Sequence, residues 1–202
     1  MYKYIEYEKK NKVATMWLNR PEKKNCIHWD MLMEMADAIG RAEEDDEVRA
    51  FVVRGRGHTF CAGADLDMLD ADFLKTSVSS MKIAMVSAKT FDRLYNMKKP
   101  TVAVVEGYAV AGGFELSISC DFVLAANDAK IGDFHIRRAL FGGAGPIYWL
   151  PRYIGMRRTK ELLLSGKLLS GTQCVEWGLA NAAAPAEELD NLVEEFLTPF
   201  LD

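Results

Sequence analysis

Few residues in this chain could hold a metal or a cross-link. Its 202 residues include three histidines and four cysteines. Cys26, Cys61, Cys120 and Cys174 are widely spaced, with no C-x-x-C among them. That leaves no metal site and no disulfide framework to expect, and reduced thiols are the default. Positive charge is not in excess either: 25 Lys and Arg stand against 29 Asp and Glu, a net charge of −4. The basic pairs Lys9-Lys10, Lys23-Lys24 and Arg157-Arg158 are too short to suggest nucleic acid as a partner. No apolar run reaches the roughly 20 residues that cross a bilayer, and the first residues, Met1 to Glu6, do not read as a signal peptide. No membrane partner and a cytoplasmic location are therefore expected. Half of the residues are hydrophobic and 27% are charged, which suits one soluble domain with a sizeable core.

Strand and helix patterns alternate along the chain. Tyr2 to Asn19 predicts a hairpin with Glu8 to Lys12 as its turn. Asp30 to Glu43 carries Met31, Leu32, Met35, Ala38 and Ile39 at helical spacing, and Val48 to Val53 predicts a strand. Asp67 to Ser80 is polar and predicts a loop facing a ligand; Met81 to Met97 predicts a helix stopped by Lys98-Lys99-Pro100. Met81, Met85 and Met97 read as core first and as pocket lining second. Later come strands at Phe122 to Ala126, Ala129 to Gly132 and Leu179 to Ala184, and a glycine-rich loop system formed by Asp133 to Arg138 and Phe141 to Pro146. Helices are predicted at Ile147 to Ile154, Thr159 to Ser165 and Ser170 to Trp177, with a final amphipathic helix over Ala186 to Phe200.

The most informative stretch is Thr101 to Asp121. A β-branched run, Thr101 to Val105, leads through Gly107, Ala109, Ala111, Gly112 and Gly113 into a helical pattern over Phe114 to Cys120. A strand, small residues and a helix start place unpaired N–H groups at one point, which the helix dipole makes favourable for negative charge. Glu115 stands in the first helical turn. One reading is only a tight turn with an acidic residue suited to a helix start. The other is an oxyanion site with a carboxylate near enough to move a proton. Ala62 to Asp65 repeats the arrangement, with Asp65 able to cap the next helix. Two such turns can bring two N–H donors to one oxygen, and that repetition favours the second reading.

Several motifs in order resemble one known family. Leu18-Asn19-Arg20-Pro21, Phe60-Cys61-Ala62-Gly63-Ala64-Asp65-Leu66, Gly112-Gly113-Phe114-Glu115-Leu116, Cys120-Asp121, Gly143-Ala144-Gly145 and the run ending Trp177-Gly178-Leu179 resemble the crotonase superfamily of enoyl-CoA hydratases and isomerases. The resemblance covers Val13 to Phe200. It implies an α/β fold, a crotonase-like spiral of ββα units, over one acyl-CoA-binding core of residues 1–202. It implies that the Ala64 and Gly112 N–H groups hold a thioester oxygen, with Glu115 as acid and base. Lys24, Cys26, Cys61, Ala62, Asp65, Leu66 and Gly113 would lie against coenzyme A, which enters as part of the substrate, with no separate cofactor. A homotrimer or hexamer is implied as well.

Two departures qualify the resemblance. Hydratases carry a second glutamate where this chain, aligned without gaps, has His135. Imidazole can serve as acid or base near neutral pH, so His135 is the second catalytic candidate, against the reading of a loop histidine bonded near Asp133. Asp133 is a further candidate for the missing carboxylate. Arg137 and Arg138 read as solvated surface charges before they read as ligands for a substrate carboxylate. His58, His28 and Glu106 read as structural. The second departure is the end of the chain, where the usual C-terminal helices of the family are expected to be lacking. The expected activity is hydration of, or proton transfer on, an enoyl-CoA. Isomerisation, hydrolysis and decarboxylation through the same enolate are alternatives, as is a non-catalytic acyl-CoA-binding homologue.

Overall fold

The computed structural model describes residues 1–69, 76–143 and 145–201. Strands β1 (Ile5–Lys10) and β2 (Val13–Leu18) form the hairpin, paired Ile5 to Leu18 through Lys10 to Val13. The turn is only Asn11-Lys12, both at positive φ (50° and 65°), the backbone that matches the twist of a two-residue hairpin. Glu8, Lys9 and Lys10 therefore belong to β1 and not to the turn. Their side chains face water at an outer strand, where charge carries no burial cost and discourages edge pairing.

After the hairpin the chain repeats one plan. A strand of the main sheet leads to a short extended piece in a second layer, and then to a helix. β2 leads past Ile27, bridged to Ala64, into α1 (Trp29–Glu44). His28 caps α1 by accepting the Met31 N–H at 3.3 Å. β3 (Ala50–Gly55) leads through Cys61, bridged to Ala109, into the single turn α2 (Leu66–Met68) and then α3 (Ser77–Tyr95). β4 (Thr101–Val105) leads through β5 (Tyr108–Val110) into α4 (Gly112–Ile118). β6 (Phe122–Ala126) leads through β7 (Lys130–Gly132) and a 3-10 turn at His135–Arg138 into α5 (Pro146–Ser165). α6 (Gly171–Trp177), β8 (Ala182–Ala184) and α7 (Leu189–Leu197) follow. The main sheet has the order β1-β2-β3-β4-β6-β8, and β5 pairs with β7. All pairings but β1 with β2 are parallel.

Central strands are buried throughout, as parallel strands covered on both faces require: every residue of β4 is buried. A reciprocal clasp fixes the start of β4 against β6. The Asp121 carboxylate accepts from both the N–H and the hydroxyl of Thr101 at 2.8 Å, and the Asp121 N–H donates to the Thr101 hydroxyl at 2.7 Å. This clasp sets the register from which β5 and α4 depart.

Some boundaries differ from the sequence reading. The small-residue stretch hides β5, and α4 starts at Gly112 instead of Phe114. The predicted loop at Asp67 to Ser80 includes the start of α3 from Ser77; its positions 70–75 lie outside the described residues. Met97 joins the core, whereas Met85 is exposed. In α5, Gly155 has non-helical φ and ψ, which separates the two helices the sequence predicts there. The last amphipathic stretch is one α-helix between two 3-10 turns.

Candidate active site

The two small-residue turns meet. Gly63 has a φ of 101°, a conformation that favours glycine. A Cβ there would stand 3.2 Å from the Gly112 nitrogen and 3.0 Å from the Ala111 Cβ. In the other direction, a Cβ on Gly112 would stand 3.5 Å from the Ala64 nitrogen. The Ala64 and Gly112 N–H groups are thus neighbours. Among the described residues neither donates a hydrogen bond, while the flanking Ile27, Asp65 and Glu115 N–H groups all do. Ala64 and Gly112 are partly open to solvent, whereas Gly63 and Gly113 are buried. Ala111, the residue before α4, is held at φ 51° and ψ −122°. Backbone strain of this kind costs about 1–3 kcal/mol and persists where its surroundings enforce it. Here it sits at the turn that aims Gly112.

A polar frame fixes the first turn from behind. Arg20 donates to the Cys26 carbonyl at 2.6 Å and pairs with Asp65 at 2.9 Å, both side chains being about nine-tenths buried. Asn25, fully buried, accepts from the Arg20 N–H and donates to the Arg56 and Thr59 carbonyls. Burial by itself would raise the Asp65 carboxyl. The Arg20 guanidinium and the Asp67 N–H outweigh it and hold the carboxyl below its ordinary value. Ile27 donates to the Gly63 carbonyl, and Asp65 donates back to the Ile27 carbonyl. The Ala64 N–H between them has no acceptor among the described residues.

Residues expected against coenzyme A divide into two groups. Lys24, Cys26, Ala62 and Leu66 reach the surface beside the turn. The Lys24 carbonyl accepts the Ala62 N–H at 3.0 Å, and the Lys24 ammonium lies 5.3 Å from the centre of the exposed Tyr108 ring. Cys61, Asp65 and Gly113 are buried behind it, so any contact of theirs with a ligand would be through backbone. Cys61 is fully buried, its backbone is bonded to β5, and burial pushes its thiol up to about 12. Gly113 packs on the Cys61 carbonyl, where a Cβ would come within 2.1 Å. The Asp65 carboxylate is engaged by Arg20.

Glu115 is buried on α4, one turn inside the Gly112 donor. His135 stands across from it. Its Nδ1 is 2.9 Å from an oxygen of Asp133, which is itself buried. Burial works to lower the His135 pKa. The hydrogen bond with Asp133 and the charges of Glu115 and Asp133 outweigh it, so the pKa is raised from its ordinary 6.5. Arg137 and Arg138 are exposed, and the Arg137 guanidinium reaches the Gly166 carbonyl. His58 bonds Glu106 at the surface, and His28 is a helix cap. Among the described residues no group of three His, Cys, Asp or Glu is placed to hold a metal. A groove of about 510 Å³ lies elsewhere, between the outer face of β2 and α7. Ala64, Gly112, Glu115 and His135 do not line it.

The paired donors, with a buried carboxylate beside them, coincide with a family match. The family model described as Enoyl-CoA hydratase/isomerase matches residues 8–199. This chain belongs to the enoyl-CoA hydratase/isomerase family. Among similar proteins is the crotonyl-CoA hydratase of Syntrophomonas wolfei, 32% identical over 189 residues, covering 93% of this chain and 72% of the relative. The short-chain-enoyl-CoA hydratase of Clostridium acetobutylicum is 33% identical over 93% of this chain and 71% of its own length. In three dimensions, the enoyl-CoA hydratase of Bacillus anthracis superposes with a TM-score of 0.93 at 28% identity, over 98% of this chain and 76% of that one. The ββα repeat described above is thus the crotonase fold of the family, as the motifs predicted.

Sequence reasoning missed two parts of this family member's site. Asn25 ties its own loop to the one after β3, yet a lone asparagine carries no signal in the sequence. Gly142 was passed over as one more loop glycine. A Cβ on it would touch Asp133, Glu115 and His135 at once.

Proposed function

We propose that this protein catalyses hydration or double-bond isomerisation of an enoyl-CoA thioester through an enolate. Three parts of the site divide the work. The Ala64 and Gly112 N–H groups receive the thioester oxygen as it gains charge. Glu115 moves a proton at the acyl chain, and His135 supplies the second acid and base. Adding water to a C=C bond needs one group to activate water and one to deliver a proton to the α-carbon, and two groups in different environments can share these tasks. Preorganised donors act without reorganisation as charge develops, and one such donor is worth about 3 kcal/mol.

The observation that carries this reading is the pair of neighbouring N–H groups without acceptors among the described residues, one turn from a buried carboxylate. A non-catalytic acyl-CoA binder would have no use for that carboxylate. Coenzyme A enters here only as part of the substrate, and no separate cofactor is needed for proton transfer. We also infer a homotrimer or hexamer, supported by exposed Phe141, Tyr148, Tyr153 and Met156; light scattering after gel filtration reads the mass. A cytoplasmic location is supported by four free thiols, three of them buried.

The direct test is turnover of crotonyl-CoA, followed by loss of the conjugated thioester absorbance, in wild type and Glu115→Gln. Wild type should consume the substrate, and Glu115→Gln should bind it without turnover. Equal rates in the two proteins would exclude the proposed role of Glu115.

A further inference from the structure

The proton-transfer side of the site contains a buried carboxylate that the reaction itself does not use. We propose that Asp133 is a positioning residue for His135: it holds the imidazole with its proton on Nδ1, in a niche that exists because residue 142 is glycine, and makes Nε2 the working nitrogen. This deepens the reading above and rests on His135 lying at the reacting end of the acyl group.

Three geometric observations support the assignment. The first is the direct contact of 2.9 Å between Nδ1 and the Asp133 carboxylate. Asp133 is 3% exposed. The second is the local backbone. Phe134 sits at φ 54°, and the His135 N–H donates to the Asp133 carbonyl at 2.7 Å. This folds residues 133 and 135 back to the same side. The third is Gly142. A Cβ there would stand 2.8 Å from the Asp133 oxygen, and 3.0 Å from both the Glu115 oxygen and His135 Nδ1. These are distances that real Cβ atoms scarcely tolerate, so any side chain at 142 would push the group apart. The absent methyl is where three otherwise separate elements converge: α4, the 3-10 turn and the loop that follows it.

The chemistry follows from the inventory of imidazole. Neutral histidine has one donor and one acceptor nitrogen. A buried carboxylate accepts, so it selects the tautomer with hydrogen on Nδ1. Nε2 then carries the lone pair and has no hydrogen-bond partner among the described residues. When Nε2 takes a proton, the imidazolium is stabilised by the same carboxylate, which stays ionised. The proton can then be returned from Nε2 to the acyl carbon or to a leaving oxygen. Asp133 touches no substrate in this scheme. It acts through the orientation and basicity of His135, as an outer carboxylate does for a metal-bound histidine.

The test joins a spectrum to kinetics. In protein labelled with ¹⁵N-histidine, long-range ¹H–¹⁵N correlations identify which His135 nitrogen is protonated, with His135→Gln assigning the signals. Wild type should show hydrogen on Nδ1. Asp133→Asn removes the charge and can present an amide N–H to the ring. It should shift the population toward hydrogen on Nε2 and lower kcat about 100-fold, with KM within threefold. Gly142→Ala tests the same contact without touching either partner, and it should lower kcat about tenfold or more with the same disturbance of the His135 signals. Hydrogen on Nε2 in the wild type would overturn the proposal. So would loss of activity in both variants with His135 unchanged, since that makes Asp133 merely structural. Should Asp133→Asn fail to fold, Gly142→Ala and the wild-type spectrum still decide. Wild-type turnover that survives Glu115→Gln would count against the function proposed above, while the tautomer would still report on Asp133.

Discussion

The two walls of this site are built from different materials. One is backbone: the Ala64 and Gly112 N–H groups, neighbours that have no acceptor among the described residues and are partly open to solvent. The other is side chain: Glu115 from α4, with Asp133 and His135 from the segment after β7, brought together around Gly142. The backbone wall depends on small residues that let two turns approach, and it is nearly indifferent to what those residues could do chemically. The side-chain wall depends on chemical identity at each position, so an exchange there can change the reaction without moving the fold. Under the proposed function the donors would serve any enolate, while Glu115 and His135 would decide what happens to it.

Substitutions sharpen that contrast. The largest effect on turnover is expected at Glu115. Glu115→Gln keeps the shape, removes the base, and should lower kcat about a thousandfold; binding of the CoA ester by calorimetry should change little. Next is the glycine pair of the backbone wall. Gly112→Ala would place its Cβ only in ordinary contact, 3.5 Å from the Ala64 nitrogen. It should leave the thermal midpoint within a degree or two and still lower kcat about 100-fold, because the methyl obstructs the oxygen. Gly113→Ala, one residue on, drives a Cβ into the Cys61 carbonyl. It should cost about 1–3 kcal/mol of stability or more in denaturant unfolding. If Gly112→Ala lost stability and Gly113→Ala lost only activity, the assignment of the two glycines would be reversed.

The smallest effect belongs to the frame. Asp65 is ionised beside Arg20, with its pKa held below the ordinary 3.8. A depressed carboxylate contributes stability that is present above its unfolded pKa and lost as pH falls through the folded one. Unfolding measured from about pH 5 downward should therefore show a loss that Asp65→Asn lacks. The variant should also be less stable at pH 7, because Arg20 is left buried without its counter-charge.

The backbone wall was legible in the sequence, because two turns of the same kind announce themselves by their small residues. What they conceal is secondary structure. Tyr108 to Val110 reads as part of a turn, yet it is a strand, since its pairing is decided by Lys130 to Gly132, far along the chain. The charged arm of the hairpin misled for a related reason: Glu8 to Lys10 face water, and only the positive φ of Asn11 and Lys12 fixes the turn. On the side-chain wall, Glu115 and His135 stood out by type, and Asp133 stood out by nearness. Gly142 did not, because its role is a vacancy whose meaning appears only when three elements surround it. Cys61 and Asp65 stood out by motif, and their side chains are buried. The Cys61 sulfur accepts the Gly63 N–H and the Asp65 carboxylate pairs with Arg20, so both side chains brace the turn.

The central claim is that an enolate forms against the two backbone donors and that Glu115 moves its proton. The most direct measurement is exchange of α-carbon hydrogen for deuterium in heavy water, on saturated and unsaturated acyl-CoA esters, in wild type and Glu115→Gln. The account predicts exchange in wild type with at least one ester, and its loss in Glu115→Gln despite retained binding. Binding with no exchange for any ester, or exchange indifferent to Glu115, would contradict it.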